Sequence, residues 1–361
     1  MAKSKIESTP DVTANTEEIT APARGKKIEK KSFSLSDYKA KKGVNKAHKN
    51  KAERWLPVSK AFQESLGMPG GLCLTQSHVV FGYENSGKST YMLECAVSCQ
   101  KNGVLPVFLI TEQKHRWGHA ISMGFEIEEI VDEDGCVTYD GFFMYYDRND
   151  FNSIEDMAKI MHGLMDDQES GKLPYDIAFF IDSLGKVNCD KGIKNGNQFN
   201  PQWVATSVAH EFGASIIPRV NMTISDTKPY TATLFTIVQP WTELPQVYGE
   251  LAKLTPKAGK SLPQDSAIVV KFGKETNAGT SQMKIKKKGH EIIWGTRTRV
   301  TLQKNHINDL SLRTNLICVK TGFIKEEEAK EYIAEHGDYY LEKINANSVD
   351  EIEFDSEEDS E

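Results

Sequence analysis

Residues 82–89 read Gly82-Tyr83-Glu84-Asn85-Ser86-Gly87-Lys88-Ser89, a full G-x-x-x-x-G-K-[ST] pattern, with Thr90 directly after it. Glycines at these two positions let backbone amides turn inward and approach phosphate oxygens. A helix starting at Lys88 would add the positive field of its N-terminus. Glu84, Asn85 and Ser86 form the turn, Lys88 has the reach for β- and γ-phosphates, and the Ser89 hydroxyl suits a Mg²⁺ ligand. A glycine-rich turn can match by chance. This one follows a strand-like run and opens a helix-like one, the context the chemistry requires.

Asp182 ends the apolar run Ile177-Ala178-Phe179-Phe180-Ile181. Alone it reads as an aspartate capping a turn. Beside a phosphate loop, a carboxylate at the end of a buried strand is expected to help hold Mg²⁺.

The elements that must position these groups alternate. Strand-like Leu72–Phe81, Leu105–Thr111, Phe142–Tyr146, Ile177–Asp182 and Thr233–Gln239 are interleaved with helix-like Lys88–Gln100, Trp117–Met123, Ser153–Met165 and Trp203–Phe212. That order predicts an α/β fold with a mostly parallel sheet and helices on both faces. From Ala267 the period changes to successive strands, Ala267–Phe272, Met283–Lys288, Thr296–Gln303 and Arg313–Val319. An antiparallel β extension at one edge follows. Lys186–Pro201 and Pro240–Gln264 lack regular pattern, and loops that long tend to be functional.

Composition bounds the rest. The 361 residues suffice for a sizeable core, and no apolar run nears the ~20 residues of a membrane span. Cys73, Cys95, Cys99, Cys136, Cys189 and Cys318 show no CxxC spacing, so free thiols and a cytoplasmic location are expected. The net charge of −7 is segregated: 12 Lys/Arg lie between Arg24 and Arg54, and eight acidic residues lie after Val349. Residues 1–50 read as a disordered basic arm, for nucleic acid, subunit docking or no specific role. Residues 55–324 read as the core, 325–348 as a short C-terminal helical segment, and 349–361 as an acidic tail.

Five segments together resemble the RecA family of recombinases, its phage members in particular: GYENSGKST at Gly82, VFLITEQKHRWGHAISMG at Val107, FIDSLG at Phe180, LFTIVQ at Leu234 and TRTRVTLQKNHI at Thr296. The resemblance implies a RecA-like P-loop core that binds ATP and Mg²⁺. Glu112 would orient the attacking water, Gln239 would sense the γ-phosphate, and His119 stands where the family stacks an aromatic on adenine. Lys304 and His306 occupy the positions of two lysines that reach a neighbouring subunit's ATP, with histidine replacing the second.

The resemblance also implies that the two irregular stretches hold single-stranded DNA. Lys186, Lys191, Lys194, Gln198, Phe199 and Trp203 lie in or just after the first; Trp241, Tyr248, Lys253, Lys257 and Lys260 lie in the second. Lysines neutralise phosphates and aromatics stack on bases. Lys284, Lys286, Lys287 and Lys288 read instead as a solvated strand edge. The expected function is a DNA-dependent ATPase forming a helical homo-oligomer on single strands, then pairing with duplex DNA, with single-strand-binding or mediator proteins as further partners and no membrane. Two alternatives stand beside it, a ring-forming replicative helicase and a mediator that binds DNA without hydrolysing ATP.

Overall fold

The computed structural model describes residues 53–111, 117–131, 137–221, 229–243, 253–256, 259–273, 281–287 and 290–342. A short helix, α1 (Lys60–Leu66), leads into the first strand of the main sheet, β1 (Ser77–Gly82). Then follow α2 (Lys88–Lys101), β2 (Val104–Ile110), α3 (Trp117–Ser122), β3 (Met144–Tyr146), α4 (Ile154–Glu169) and β4 (Asp176–Asp182). Helix α5 (Pro201–Val208) runs on through a wider π-type spiral, Ala209–Ile216, into Ile217–Val220. The remaining strands are β5 (Ala232–Val238), β6 (Ile268–Gly273), β7 (Ser281–Lys287), β8 (His290–Asn305), β9 (Arg313–Val319) and β10 (Gly322–Ile324), followed by α6 (Ala329–Glu342).

These ten strands form one sheet in the order β10-β9-β8-β6-β1-β5-β4-β2-β3, with β7 pairing to β8. The six strands from β3 to β6 are mutually parallel. The others join antiparallel, as the change of sequence period predicts for three of its four strands. The first, Ala267–Phe272, is instead β6, which runs parallel to β1 because the chain returns to the sheet through the Pro240–Gln264 stretch rather than a hairpin. Parallel strands covered on both sides read as continuous apolar runs, and β2 and β5 are buried along their whole length.

Successive residues serve opposite faces. Val80, Phe108, Phe180 and Phe235 pack under α1, α2 and α3. Their neighbours Val79, Val107, Phe179 and Leu234 pack under α4 and α5. Helix α4 shows why it forms. Ser153 caps it by accepting from the Asp156 amide, and Ile154, Met157, Ala158, Met161 and Met165 repeat at helical spacing to cover the sheet. Helix α6 closes the antiparallel extension by burying Tyr332, Ile333 and Tyr340 against Trp294 and Ile317.

Several boundaries differ from the sequence reading. Leu72–Phe81 is broken at a turn where Thr75 takes a positive φ, so only Ser77–Gly82 enters the main sheet. The helix expected over Trp203–Phe212 begins at Pro201, where Asn200 accepts from the amides of Gln202 and Trp203. An antiparallel ribbon, Glu128–Val131 with Val137–Asp140, had no sequence signal. Neither irregular stretch is patternless. The first contains a helix, Asp190–Lys194; the second contains a ribbon, Pro240–Glu243 with Lys253–Pro256, and a helix, Ser261–Asp265. The sequence pattern concealed these pieces because each is only four or five residues long, too short to show a period.

No helix among the described residues is long and apolar enough to cross a membrane. Cys73, Cys95, Cys99, Cys189 and Cys318 are free thiols. Burial pushes the Cys73 and Cys318 thiols up to about 12. The basic arm, Cys136 and the acidic tail lie outside the described residues.

Candidate functional site

The parallel strands bring their C-terminal ends to one edge of the sheet, where ligand crevices of open α/β folds form. Register places Gly82 beside Phe272, Phe81 beside Val238, and Asp182 between Ile110 and Ile237. Gly82 at the end of β1, Thr111 after β2, Asp182 ending β4 and Gln239 after β5 therefore share one rim. Glu112, the next residue after Thr111, lies outside the described residues.

The glycines are required by shape. Gly82 has φ +150°, and a β-carbon there would sit 1.9 Å from the Phe272 carbonyl oxygen. Gly87, with φ +95°, begins α2, and its β-carbon would lie 2.8 Å from Cys318 Sγ and 3.0 Å from the Phe323 ring. Asn85 also takes a positive φ. Between them the Ser86 hydroxyl donates to the Tyr83 carbonyl at 2.7 Å, and the Lys88 ammonium donates to the same oxygen. Glu84, Asn85 and Ser89 are exposed, while Ser86 and Thr90 are buried. The loop thus presents Lys88 and Ser89 on a backbone held from beneath.

Ser89 Oγ donates to Asp182 Oδ2 at 2.9 Å. The two strand ends, β1 and β4, are separated by β5, so the start of α2 must lean across one strand to make this contact. Thr111 fixes the other side. Its amide donates to the Asp182 carbonyl at 2.8 Å, its hydroxyl donates to the Ser183 carbonyl at 2.9 Å, and the Ser183 amide donates to that hydroxyl at 2.9 Å. Sequence reasoning did not assign Thr111 a role; its one signal is a hydroxyl ending an otherwise apolar strand.

The β9–β10 hairpin flanks the loop. Cys318 Sγ donates to Thr90 Oγ1 at 3.4 Å, and His119 on α3 donates from Nε2 to the Lys320 carbonyl at 3.2 Å. Burial lowers the His119 pKa, so its ring is neutral at neutral pH. Glu94, one turn beyond Thr90, is buried against this hairpin and accepts from the Ser59 amide and hydroxyl at 3.3 and 3.2 Å. Burial raises its carboxyl to about 7, opposed by the hydrogen bonds from Ser59 and from the Phe323 backbone.

Lys304 and His306 stand apart from this rim. Asn305 pairs with Ile268 at the start of β6, whereas Gly82 adjoins its end. Lys304 donates to the carbonyls of Pro263, at 3.2 Å, and Gln264, and desolvation lowers its pKa despite nearby Asp265. His306 is exposed.

Two of the residues expected to meet DNA come together at the start of α5. Lys191 Nζ lies 4.6 Å from the centre of the half-buried Trp203 ring. Lys194 and Lys260 are exposed, and Phe199 is 44% exposed. In the second stretch, a β-carbon on Gly259 would lie 3.1 Å from Ala205 Cβ, and just past it Asp265 lies 2.7 Å from where a β-carbon on Gly213, in the spiral that continues α5, would sit. Both stretches therefore touch one helix. Trp241 and Lys253 lie on opposite strands of the ribbon, and Tyr248 and Lys257 lie outside the described residues. Lys284 pairs with Glu291 on the neighbouring strand, which suits a solvated edge.

The Ser215 hydroxyl, 2.8 Å from His162 Nε2, has the look of a nucleophile and base. It is not one, because Arg219 donates to His162 Nδ1 at 3.0 Å and leaves the ring hydrogen on Nε2, pointing at Ser215. Among the described residues, no group of three or more His, Cys, Asp or Glu is placed to hold a metal ion. No protein-family model matches the chain, and no curated protein is found to be similar to it.

Proposed function

We propose that this chain is an ATPase with a RecA-like P-loop core, assembling as a helical filament on single-stranded DNA and pairing it with duplex DNA. The observation that carries the reading is the Ser89–Asp182 hydrogen bond, which joins two motif residues 93 positions apart at the mouth of a glycine-built loop.

The residues fit ATP and Mg²⁺. Gly82 and Gly87 let the loop press onto Phe272 and onto Cys318 and Phe323, and the helix that starts at Lys88 has its free N-terminal amides beside the loop, where phosphate oxygens would approach. Mg²⁺ is commonly held by one or two protein groups together with phosphates and water, so Ser89 with Asp182 is a sufficient set. When bound, the ion neutralises phosphate charge. Lys88 adds a cation over the terminal phosphates, Glu112 orients the water, and Gln239 couples the rim to the Pro240–Gln264 stretch. His119 contributes to the base side beside Lys320. Lys304 and His306, at the opposite end of β6 from the chain's own loop, would serve a neighbouring copy's nucleotide, Lys304 by exchanging its contacts with Pro263 and Gln264.

Electron microscopy with long single-stranded DNA, Mg²⁺ and a slowly hydrolysed ATP analogue tests this. Continuous helical filaments that vanish without nucleotide, and in Lys88→Ala, are expected. Closed rings on the strand would replace the recombinase with a helicase, and coating that ignores nucleotide would replace it with the mediator.

A further inference from the structure

We infer that Glu155 is the positioning residue that holds the first candidate DNA segment in its working shape before any strand arrives. The inference rests on the DNA-binding reading above and adds how that surface is built.

Glu155 sits in the first turn of α4, a helix that belongs to the sheet's core. One carboxylate oxygen, Oε2, accepts from the Asp190 amide at 2.9 Å, and the other accepts from the Ser207 hydroxyl at 2.8 Å. Asp190 starts the short helix Asp190–Lys194, and Ser207 lies on α5 just beyond Trp203. One side chain therefore clamps both flanks of the segment that carries Lys191, Lys194 and Phe199. The adjacent backbone reinforces the anchor, with the Ile154 amide donating to the Asn188 carbonyl at 3.0 Å.

Within the clamp the chain is tightly folded. The Asn188 side chain donates to the Gln198 carbonyl at 3.3 Å, and a β-carbon on Gly192 would lie 2.2 Å from Asn188 Oδ1 and 2.5 Å from the Gln198 oxygen. The outcome is the placement of the Lys191 ammonium over Trp203. An ammonium beside an indole, with Phe199 exposed nearby, offers phosphate neutralisation and base stacking on one surface. Holding these groups in place beforehand lowers the ordering cost of binding. Glu155 itself need not touch DNA, and its negative charge would repel a phosphate.

The chemistry selects the test. In Glu155→Leu both hydrogen bonds are lost. In Glu155→Gln the amide oxygen can accept from the Asp190 amide while the amide nitrogen donates to Ser207, because a hydroxyl accepts as well as donates. Binding of a fluorescent oligo-dT strand by the full chain, with Mg²⁺ and the slowly hydrolysed analogue, is measured beside binding of the analogue alone. Glu155→Leu should weaken strand binding by about tenfold or more, the loss of two hydrogen bonds to a charged group. Glu155→Gln should restore most of it, and nucleotide affinity should stay at the wild-type value in both. Wild-type strand affinity in Glu155→Leu overturns the inference, as does a Gln variant as weak as Leu, since charge would then be the cause. If the wild-type protein binds no single strand at all, the DNA reading falls and takes this inference with it.

Discussion

Ser89 Oγ and Asp182 Oδ2 lie 2.9 Å apart, one at the start of α2 and the other at the end of β4. Neither residue has chemistry of its own without the other: a lone serine hydroxyl is a weak metal ligand, and a lone aspartate ends many strands. Asp182→Asn keeps the shape and removes the charge. On the proposed function, Mg²⁺-dependent ATP turnover should fall about 10–100-fold, the cost of losing a supporting group around a metal. A Mg²⁺ titration of DNA-stimulated turnover measures it, and an unchanged titration would remove Asp182 from the site.

Gly82 should be intolerant of any side chain. Its β-carbon would meet a backbone oxygen at 1.9 Å, and neither the Phe272 carbonyl nor the β6 ladder can yield. Gly82→Ala should cost about 2–4 kcal/mol in denaturant unfolding. Gly171→Ala is the control, because Gly171 has φ +76° with nothing within 4 Å and should lose only about 1–2 kcal/mol. Equal losses would show that the backbone angle, not the close approach, decides.

Glu94 makes stability depend on pH in the direction opposite to a salt-bridged acid. Its folded carboxyl titrates near 7, above the ordinary 4.5, because burial disfavours the charge. The folded state therefore holds a proton that the unfolded chain has released, and stability from this group falls as pH rises from about 4.5 to about 7. Glu94→Gln stays neutral and should flatten that slope, gaining about 3 kcal/mol relative to wild type above pH 7. The difference in unfolding free energy between the two proteins, followed across this window, reads the effect directly; parallel curves would show that the group does not titrate there.

Lys304 separates a local role from a role between copies. Within one chain it holds the carbonyls of Pro263 and Gln264, worth about 1–2 kcal/mol. Lys304→Ala should lower unfolding stability by that amount and leave ATP binding to the isolated chain intact. If the residue also serves a neighbour's nucleotide, DNA-stimulated turnover should fall at least about tenfold at concentrations where the chain assembles. Loss of stability alone would confine Lys304 to the Pro263–Gln264 turn.

Much of this was legible in the chain. The spacing of Gly82, Gly87, Lys88 and Ser89 is local, and local patterns survive folding because a turn and the first turn of a helix need only neighbouring residues. The apolar runs before Thr111 and Asp182, and the largely apolar one before Gln239 that Thr233 and Thr236 interrupt, specified buried parallel strands, since a strand covered on both faces needs few polar residues. The shift to successive strands after Ala267 foretold the antiparallel edge except in its first strand, which runs parallel to β1.

Tertiary structure decided what depends on meetings across the sheet. That Ser89 finds Asp182 follows from the strand order, in which β5 separates β1 from β4, and no spacing in sequence encodes that order. Thr111 matters because β2 lies beside β4. Cys318 and Phe323 press on Gly87 because the hairpin after β9 folds back over α2. The first stretch is tied to Glu155, which also holds Ser207, and Gly259 of the second lies close to Ala205, so these pieces take partners that their own amino acids do not announce. A short segment that borrows its partners from elsewhere leaves its instructions in those partners, and only the folded chain brings them together.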